Sequence, residues 1–279
     1  NNDNDDDNDD DDEKQKDTTH EKLESSTTST TTSPIAAVAA TKTTEQEDQQ
    51  YDGYVALTID DAPCRLDDPN ESKLGEVLDL LQKYNNSKAT FMIISNFAKM
   101  QAHQPDMIRL LQEGHELGNH GINDEPMDKL YPTVEAFGQA IDEGNDTIQQ
   151  LHALAFPNTN EDDVDNTTET NLRNTTTTTR KVKWFRAPQS RYTKVMEEVL
   201  VKREMYNVMC DCYAACPIVE DGPWIGTSLA KQIIQSGSGA IALLHMPEGQ
   251  FRPYCLEALE VFLEELVHKQ NWKICTISE

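Results

Sequence analysis

Apolar positions along this chain switch repeatedly between two spacings. Val55 to Ile59 is a continuous, partly β-branched run, which predicts a buried strand. Ser72 to Tyr84 instead places Leu74, Val77, Leu78, Leu80 and Leu81 at helical spacing. Ala89 to Ile94 predicts a second strand, Asp106 to Gln112 a helix ended by Gly114, and Glu116 to Asn119 a short strand. Val134 to Leu154 predicts a longer helix. Beyond it, Lys183 to Arg186, Tyr206 to Cys212, Ala240 to Leu244 and Trp272 to Ile277 predict strands. Helices over Tyr192 to Val201, Ser228 to Gln235 and Cys255 to Lys269 separate or flank them. Strands that alternate with helices imply parallel pairing and an α/β fold.

Two segments stand outside this alternation. Residues 1–50 are an Asn/Asp block followed by Ser/Thr runs, and Pro157 to Arg180 is a second Asn-, Thr- and acid-rich stretch. Neither buries apolar surface, so the first is expected to be a disordered tail and the second a disordered surface insertion. The ordered domain is expected over 51–279. The formal net charge of −26 is unevenly placed, densest in the tail, and it argues against a nucleic-acid partner, which needs clustered Lys and Arg. No apolar run approaches the length of a membrane span. The chain opens on Asn, as a processed or partial chain does, so the lack of a signal peptide decides nothing. Sequons at Asn70, Asn85, Asn145, Asn166 and Asn174 favour secretion. Six cysteines allow three bridges whose pairing the sequence leaves open. Cys210, Cys212 and Cys216 lack the paired spacing of a zinc module.

The polar groups gather at strand ends. Asp60-Asp61 closes the first strand, Gly118-Asn-His-Gly-Ile-Asn-Asp124 follows the third, Arg186-Ala-Pro188 the fourth, and His245 ends Leu243-Leu-His245. In parallel α/β folds this carboxyl-terminal edge is where active sites assemble. Neighbouring strand residues face opposite ways, so Asp60 and Asp61 can share a direction only if the strand breaks there. Asp61, His120 and Asp124 would offer a divalent ion one nitrogen and two oxygens, leaving positions open for water and substrate. Asp60, tuned by Arg186, would serve as general base, and His245 would protonate the leaving group. Backbone N–H groups near Tyr192 would suit an oxyanion. Each residue also has a plainer reading: a turn for the acids, a salt bridge for Arg186, packing for His245. His103, His115, His152 and His268 have no such company and are read as surface or packing residues. Trp184, Phe185, Tyr192 and Trp224 are read as core or cleft wall.

Taken in order, these segments resemble the polysaccharide deacetylase family, the NodB-homology domain of chitin-, peptidoglycan- and xylan-type deacetylases. Thr58-Ile-Asp-Asp-Ala-Pro63 is similar to its first motif, Ala89-Thr-Phe-Met92 to the strand after it, and Gly114-His-Glu-Leu-Gly-Asn-His120 with Asp124 to its second. Phe185-Arg-Ala-Pro-Gln-Ser190 and Leu243-Leu-His245 are similar to its third and last motifs. The resemblance implies a distorted (β/α) barrel with fewer than eight strands. It implies that Asp60 is the base, Arg186 its orienting partner, Asp61 and His120 metal ligands and His245 the acid. It further implies zinc, cobalt or a similar divalent ion, and acetylated N-acetylglucosamine polymers or xylan as substrate.

The chain also departs from the family. Asp124 stands for the second metal histidine, Ala62 and Ser190 for glycines, and Cys210 and Cys216 for the tryptophan and the acid that would orient His245. Asp211 lies close by. The expected function is therefore a metal-dependent deacetylase, with a carbohydrate-binding protein of little or no activity as the alternative. A third reading, a structural protein whose acidic tail binds cations, explains the tail but not the strand ends.

Overall fold

The structure, a computed structural model, describes residues 50–157 and 181–279. All of these belong to one compact unit, Asp48–Glu279. The expected tail and the body of the insertion, with the sequons at Asn166 and Asn174, lie outside the described residues.

Among the described residues eight strands form one sheet in which every ladder is parallel. They are β1 (Gly53–Ala62), β2 (Thr90–Ile93), β3 (Glu116–Asn119), β4 (Trp184–Phe185), β5 (Tyr206–Asn207), β6 (Cys212–Tyr213), β7 (Ala240–His245) and β8 (Trp272–Cys275). Their order is β5-β4-β3-β2-β1-β7-β6, with β8 on the first half of β1. β1 is central, and from Leu57 onward every residue of it is buried. This explains why it reads as an unbroken apolar run rather than an alternation.

The helices are α1 (Leu74–Lys83), α2 (Ser95–Ala98), α3 (Gln104–Gln112), α4 (Met127–Leu130), α5 (Val134–Ala155), α6 (Lys194–Lys202), α7 (Gly222–Ser236) and α8 (Tyr254–Leu263). Each long one buries the stripe its spacing predicts. In α1, Leu74, Val77, Leu78 and Leu81 are buried, and in α5 so are Phe137, Ile141, Ile148 and Leu151. The α5 start is fixed by the Thr133 hydroxyl, which accepts a hydrogen bond from the Ala136 N–H at 3.2 Å. Helix α7 begins six residues earlier than its apolar pattern suggests. Asp221 caps it at 2.9 Å from the Trp224 nitrogen, and Pro223 suits the first turn. After Leu263 the last helix widens into one π-helical turn, Glu264–His268.

The strand expected over Tyr206 to Cys212 is two strands. Tyr206 and Val208 donate backbone N–H groups to Lys183 and Phe185 on the β4 side, whereas Asp211 donates to Ile241 on the β7 side. The segment therefore crosses from one edge of the sheet to the other, and its chain closes what the ladders leave open. Counted as one crossing strand it makes seven, in keeping with a distorted barrel of fewer than eight.

Parallel pairing brings the strand ends to one edge. Asp60 is the register partner of His245 across β1 and β7. Asn119 is the partner of Phe185 across β3 and β4, so His120 and Arg186 leave their strands side by side.

Candidate active site

The strand does break where two adjacent acids require it. Between Asp60 and Ala62 the β1–β2 register slips by one residue, and Asp61, the extra residue, takes φ +63°. This is a β-bulge, a device that re-aims a side chain, and Asp tolerates positive φ better than most residues. Both carboxylates consequently face one cavity of about 380 Å³, which His120, Asp124, His245 and Arg252 also line.

Asp60 is buried and holds a buried cation. Its Oδ1 accepts from Arg186 Nη1 at 2.6 Å. The same Nη1 lies 2.9 Å from the Thr58 hydroxyl, and Arg186 Nε donates to the Val208 carbonyl at 2.9 Å. β1, through Thr58 and Asp60, and the crossing segment, through Val208, thus fix the guanidinium. Two departures from glycine behave differently nearby. Ala62 is buried without positive φ, whereas Ser190 adopts φ +54°, the left-handed conformation glycine takes at least cost.

His120 is oriented from both sides. Its Nδ1–H donates to the Arg186 carbonyl at 2.8 Å, which turns Nε2 toward Asp61 Oδ1 at 3.4 Å and Asp60 Oδ2 at 3.7 Å. The loop after it is pinned by Asn119, whose Oδ1 accepts from the Gly121 N–H at 2.9 Å. Burial pushes the His120 pKa down, but the Asp60 charge and the Asp61 hydrogen bond outweigh it and the net shift is upward. For Asp61, burial acts upward and is outweighed by His120, His245 and Arg252, so its carboxyl is held well below the usual range. Asp124 is half-buried in the same cavity, and burial and the Asp61 charge raise it.

The donor chemistry of Asp61, His120 and Asp124 fits a divalent ion. With its Nδ1–H committed to a carbonyl, the neutral form of this imidazole would offer the Nε2 lone pair to an ion, the usual outer-shell arrangement of a metal histidine. The arrangement is not yet that of a bound ion. Among the described residues no three His, Cys, Asp or Glu side chains are set to hold one. Arg252 Nη2 lies 2.8 Å from Asp61 Oδ2 and takes the place of a cation on that oxygen.

On the neighbouring strand β7, His245 Nδ1 meets the Cys216 sulfur at 3.0 Å. Asp211 is not its partner: it is exposed, and its carboxylate accepts from the Ile241 N–H at 2.8 Å. The His245 pKa is raised, with burial opposing and Cys216 as the main upward influence. The Cys255 thiol and burial push the Cys216 thiol up. All six cysteines are free thiols.

Asp60, Asp61, His120, Asp124 and His245 line the cavity together, with Arg186 directly behind Asp60. Of the four aromatic expectations, Phe185 agrees with the structure and Tyr192 and Trp224 need correction. Phe185 is core, packed edge-on to Phe137 at 5.7 Å. Trp184 instead donates to Glu116 at 2.9 Å. Tyr192 and Trp224 are 39% and 52% exposed and neither lines the cavity, whereas Tyr213 and Phe251 do. Chain geometry, not composition, decides this, because the crossing segment carries Tyr213 to the rim. His103 and His115 are buried packing residues as expected, with His103 Nε2 2.8 Å from the Leu66 carbonyl. The sequon residue Asn145 is half-buried and accepts from Asn119 at 3.0 Å, so its amide is engaged inside the fold. Sequence reasoning passed over Arg252 and Thr58. Arg252 belongs to no motif and reaches the cavity through a loop turn at φ +59°. The only available cue is that an arginine follows His245 by seven residues.

The chain belongs to the polysaccharide deacetylase family, whose sequence pattern matches residues 47–208. Among curated proteins it is 23% identical over 206 residues to the uncharacterized protein YlxY of Bacillus subtilis, covering 74% of this chain and 52% of that one. It is 31% identical over 97 residues to the peptidoglycan-N-acetylmuramic acid deacetylase PdaC of the same organism, covering 35% of this chain and 18% of that one. The chain thus spans about half the length of the first relative and less of the second. The solved structure of PdaC superposes with a TM-score of 0.61 at 20% identity, over 83% of this chain and 91% of that one. A family 4 acetyl xylan esterase from Clostridium thermocellum, solved in complex with a cobalt ion, gives 0.58 at 23% identity, over 81% and 88%. These likenesses establish the distorted (β/α) barrel.

Proposed function

We propose that this protein is a divalent-metal-dependent hydrolase that removes acetyl groups from an acetylated carbohydrate polymer, of N-acetylglucosamine or acetylated-xylan type. Residues 51–279 form its catalytic domain. The observation that carries the reading is the pairing of Asp60 with His245 across one cavity, Asp60 backed by Arg186 at 2.6 Å. In this reading Asp60 takes the proton of the attacking water as its oxygen bonds to the acetyl carbonyl carbon. Arg186 keeps Asp60 aimed between turnovers. His245, as imidazolium, then gives its proton to the leaving nitrogen or oxygen while that bond breaks, releasing acetate and the free amine or hydroxyl. Asp61, His120 and Asp124 are the residues that would hold the ion, zinc or cobalt. Its chemistry there is polarisation of the carbonyl and a lower pKa for the water. Asp124 in place of a neutral imidazole lowers the net charge of that site, which favours binding and weakens the Lewis acid.

Action on a polymer, the resemblance and the exposed sequons at Asn70 and Asn85 support an extracellular place of work. Among the described residues no helix is long and apolar enough to cross a membrane. Carbohydrate binding without turnover is the second reading, favoured by the Cys216 thiol on His245 and by Arg252 on Asp61. The two separate in one assay: acetate release from chitin oligomers and from acetylated xylan, with added zinc or cobalt, for wild type and Asp60→Asn. Deacetylation should fall by about 10²–10⁴-fold in the variant. Wild-type rates no higher than the variant's would overturn the enzyme reading.

A further inference from the structure

The charges buried at this strand edge form two ion pairs, Asp60 with Arg186 and Asp61 with Arg252. The reaction described above uses the first and gives the second no part. Arg252 is 5% exposed, so its guanidinium has little access to water and depends on protein anions. Two are in reach. Nη2 sits 2.8 Å from Asp61 Oδ2 and 4.0 Å from Glu248 Oε1. Its Nε is buried without a partner, and the plane stands 4.4 Å from the Phe251 ring.

We propose that Arg252 is a latch on Asp61: its guanidinium competes with a divalent ion for this carboxylate, and an ion that takes both oxygens shifts it toward Glu248. The inference rests on the reading that Asp61, His120 and Asp124 bind the ion. Of the two Asp61 oxygens, Oδ1 faces His120 at 3.4 Å and Oδ2 faces Arg252 at 2.8 Å, so an ion on this carboxylate and the guanidinium compete for one negative charge at close range. Displacing a buried arginine into an apolar wall would be prohibitive, but here the second anion is waiting. Glu248 is itself 1% exposed and anchored by Arg65 Nε at 2.9 Å, so it stays in place to receive the charge. The unpartnered Nε marks the present seat as incompletely satisfied, and Phe251 offers a face along which the guanidinium plane can move. The two pairs also leave Asp60 and Asp61 neutralised by Arg186 and Arg252. An added divalent ion must therefore compete for that charge. The latch makes metal binding and Arg252 position reciprocal: each weakens the other by the same factor.

The test is zinc binding to the full chain, by titration calorimetry and by competition with a chromogenic chelator, for wild type, Arg252→Gln, Arg252→Lys and Asp61→Asn. Circular dichroism melting establishes which variants fold. Zinc should bind roughly 5- to 150-fold more tightly to Arg252→Gln than to wild type, the range of ordinary site-to-site coupling. Arg252→Lys should fall between them, and Asp61→Asn should lose the tight site. Zinc held by Arg252→Gln and not by wild type supports the latch as well. Equal or weaker binding by Arg252→Gln, with wild type binding, overturns the latch and leaves the metal reading standing. No binding by folded wild type and Arg252→Gln alike overturns the metal reading and the latch with it. If Arg252→Gln does not fold, Arg252→Lys decides by the same comparison.

Discussion

The Cys216 sulfur lies 3.0 Å from Nδ1 of His245, where the family resemblance places an orienting carboxylate. A thiol fixes the ring but stabilises its protonated form less than a carboxylate would, because it stays neutral. In the proposed reaction His245 serves as an acid only while protonated, so activity should be present below its pKa and lost as pH rises through it. Cys216→Asp should therefore raise the turnover number by about tenfold or more and move the alkaline limb of the pH–rate profile upward. Cys216→Ala should move that limb downward. A profile unmoved by either change would separate Cys216 from the proton donor.

Arg186 ties the end of β4 to β1 through Asp60 and Thr58 and to the crossing segment through Val208. Removing it leaves the Asp60 charge buried and unpaired. Arg186→Ala should lower unfolding free energy by about 3–5 kcal/mol, read from urea denaturation at pH 7. Arg186→Lys should recover only part, since one ammonium cannot span the three acceptors. A loss below about 1 kcal/mol in Arg186→Ala would contradict the assignment.

His115 gives the protein a distinct acid response. Its Nδ1 accepts from the Ala89 N–H at 3.2 Å, which only a ring unprotonated at that nitrogen can do. Burial, then the charges of Lys88 and Arg109, push its pKa down to about 3. A depressed folded pKa means the stability is complete above the unfolded value of about 6.5 and is lost as pH falls through the folded one. The carboxyl of Asp61, also depressed, acts the same way, but only below its unfolded value of about 3.9. The stability advantage of wild type over His115→Gln should therefore shrink by about 1.4 kcal/mol per pH unit between about pH 6 and 4. A pH-independent difference would contradict this.

Gly144 on α5 is the floor beneath the His120 loop. A methyl there would meet Asn119 Nδ2 at 2.5 Å and Oδ1 at 2.8 Å. Asn119 is the side chain that pins Gly121, directly after His120. Gly144→Ala should cost about 1–3 kcal/mol through overpacking and should lower activity beyond what the loss of folded protein explains. Wild-type turnover per folded molecule would show that the loop does not depend on this packing.

Much of the fold was legible because the apolar spacing is set by burial, and burial follows the parallel sheet. The strand ends were legible for the same reason: once strands are parallel, Asp60, His120, Arg186 and His245 must share an edge. The sequence was also sufficient to require a break at Asp60-Asp61, though not to say that it is a bulge with Asp61 as the extra residue. Three features could not be read. The crossing from Tyr206 to Tyr213 depends on two sheet edges far apart in the chain. Trp224 and Tyr192 face solvent although aromatic character suggested a wall or core. Arg252 reaches Asp61 across 191 positions of sequence through a loop that carries no periodic signal.

The central claim is that Asp60 and His245 act as base and acid on one bound acetyl group. The most direct measurement is acetate release by wild type, Asp60→Asn, His245→Ala and the double variant at saturating zinc. Groups that act as a unit are not additive, so the double variant should be no slower than the slower single variant, within about threefold. Losses that multiply, or a His245→Ala rate equal to wild type, would contradict the account.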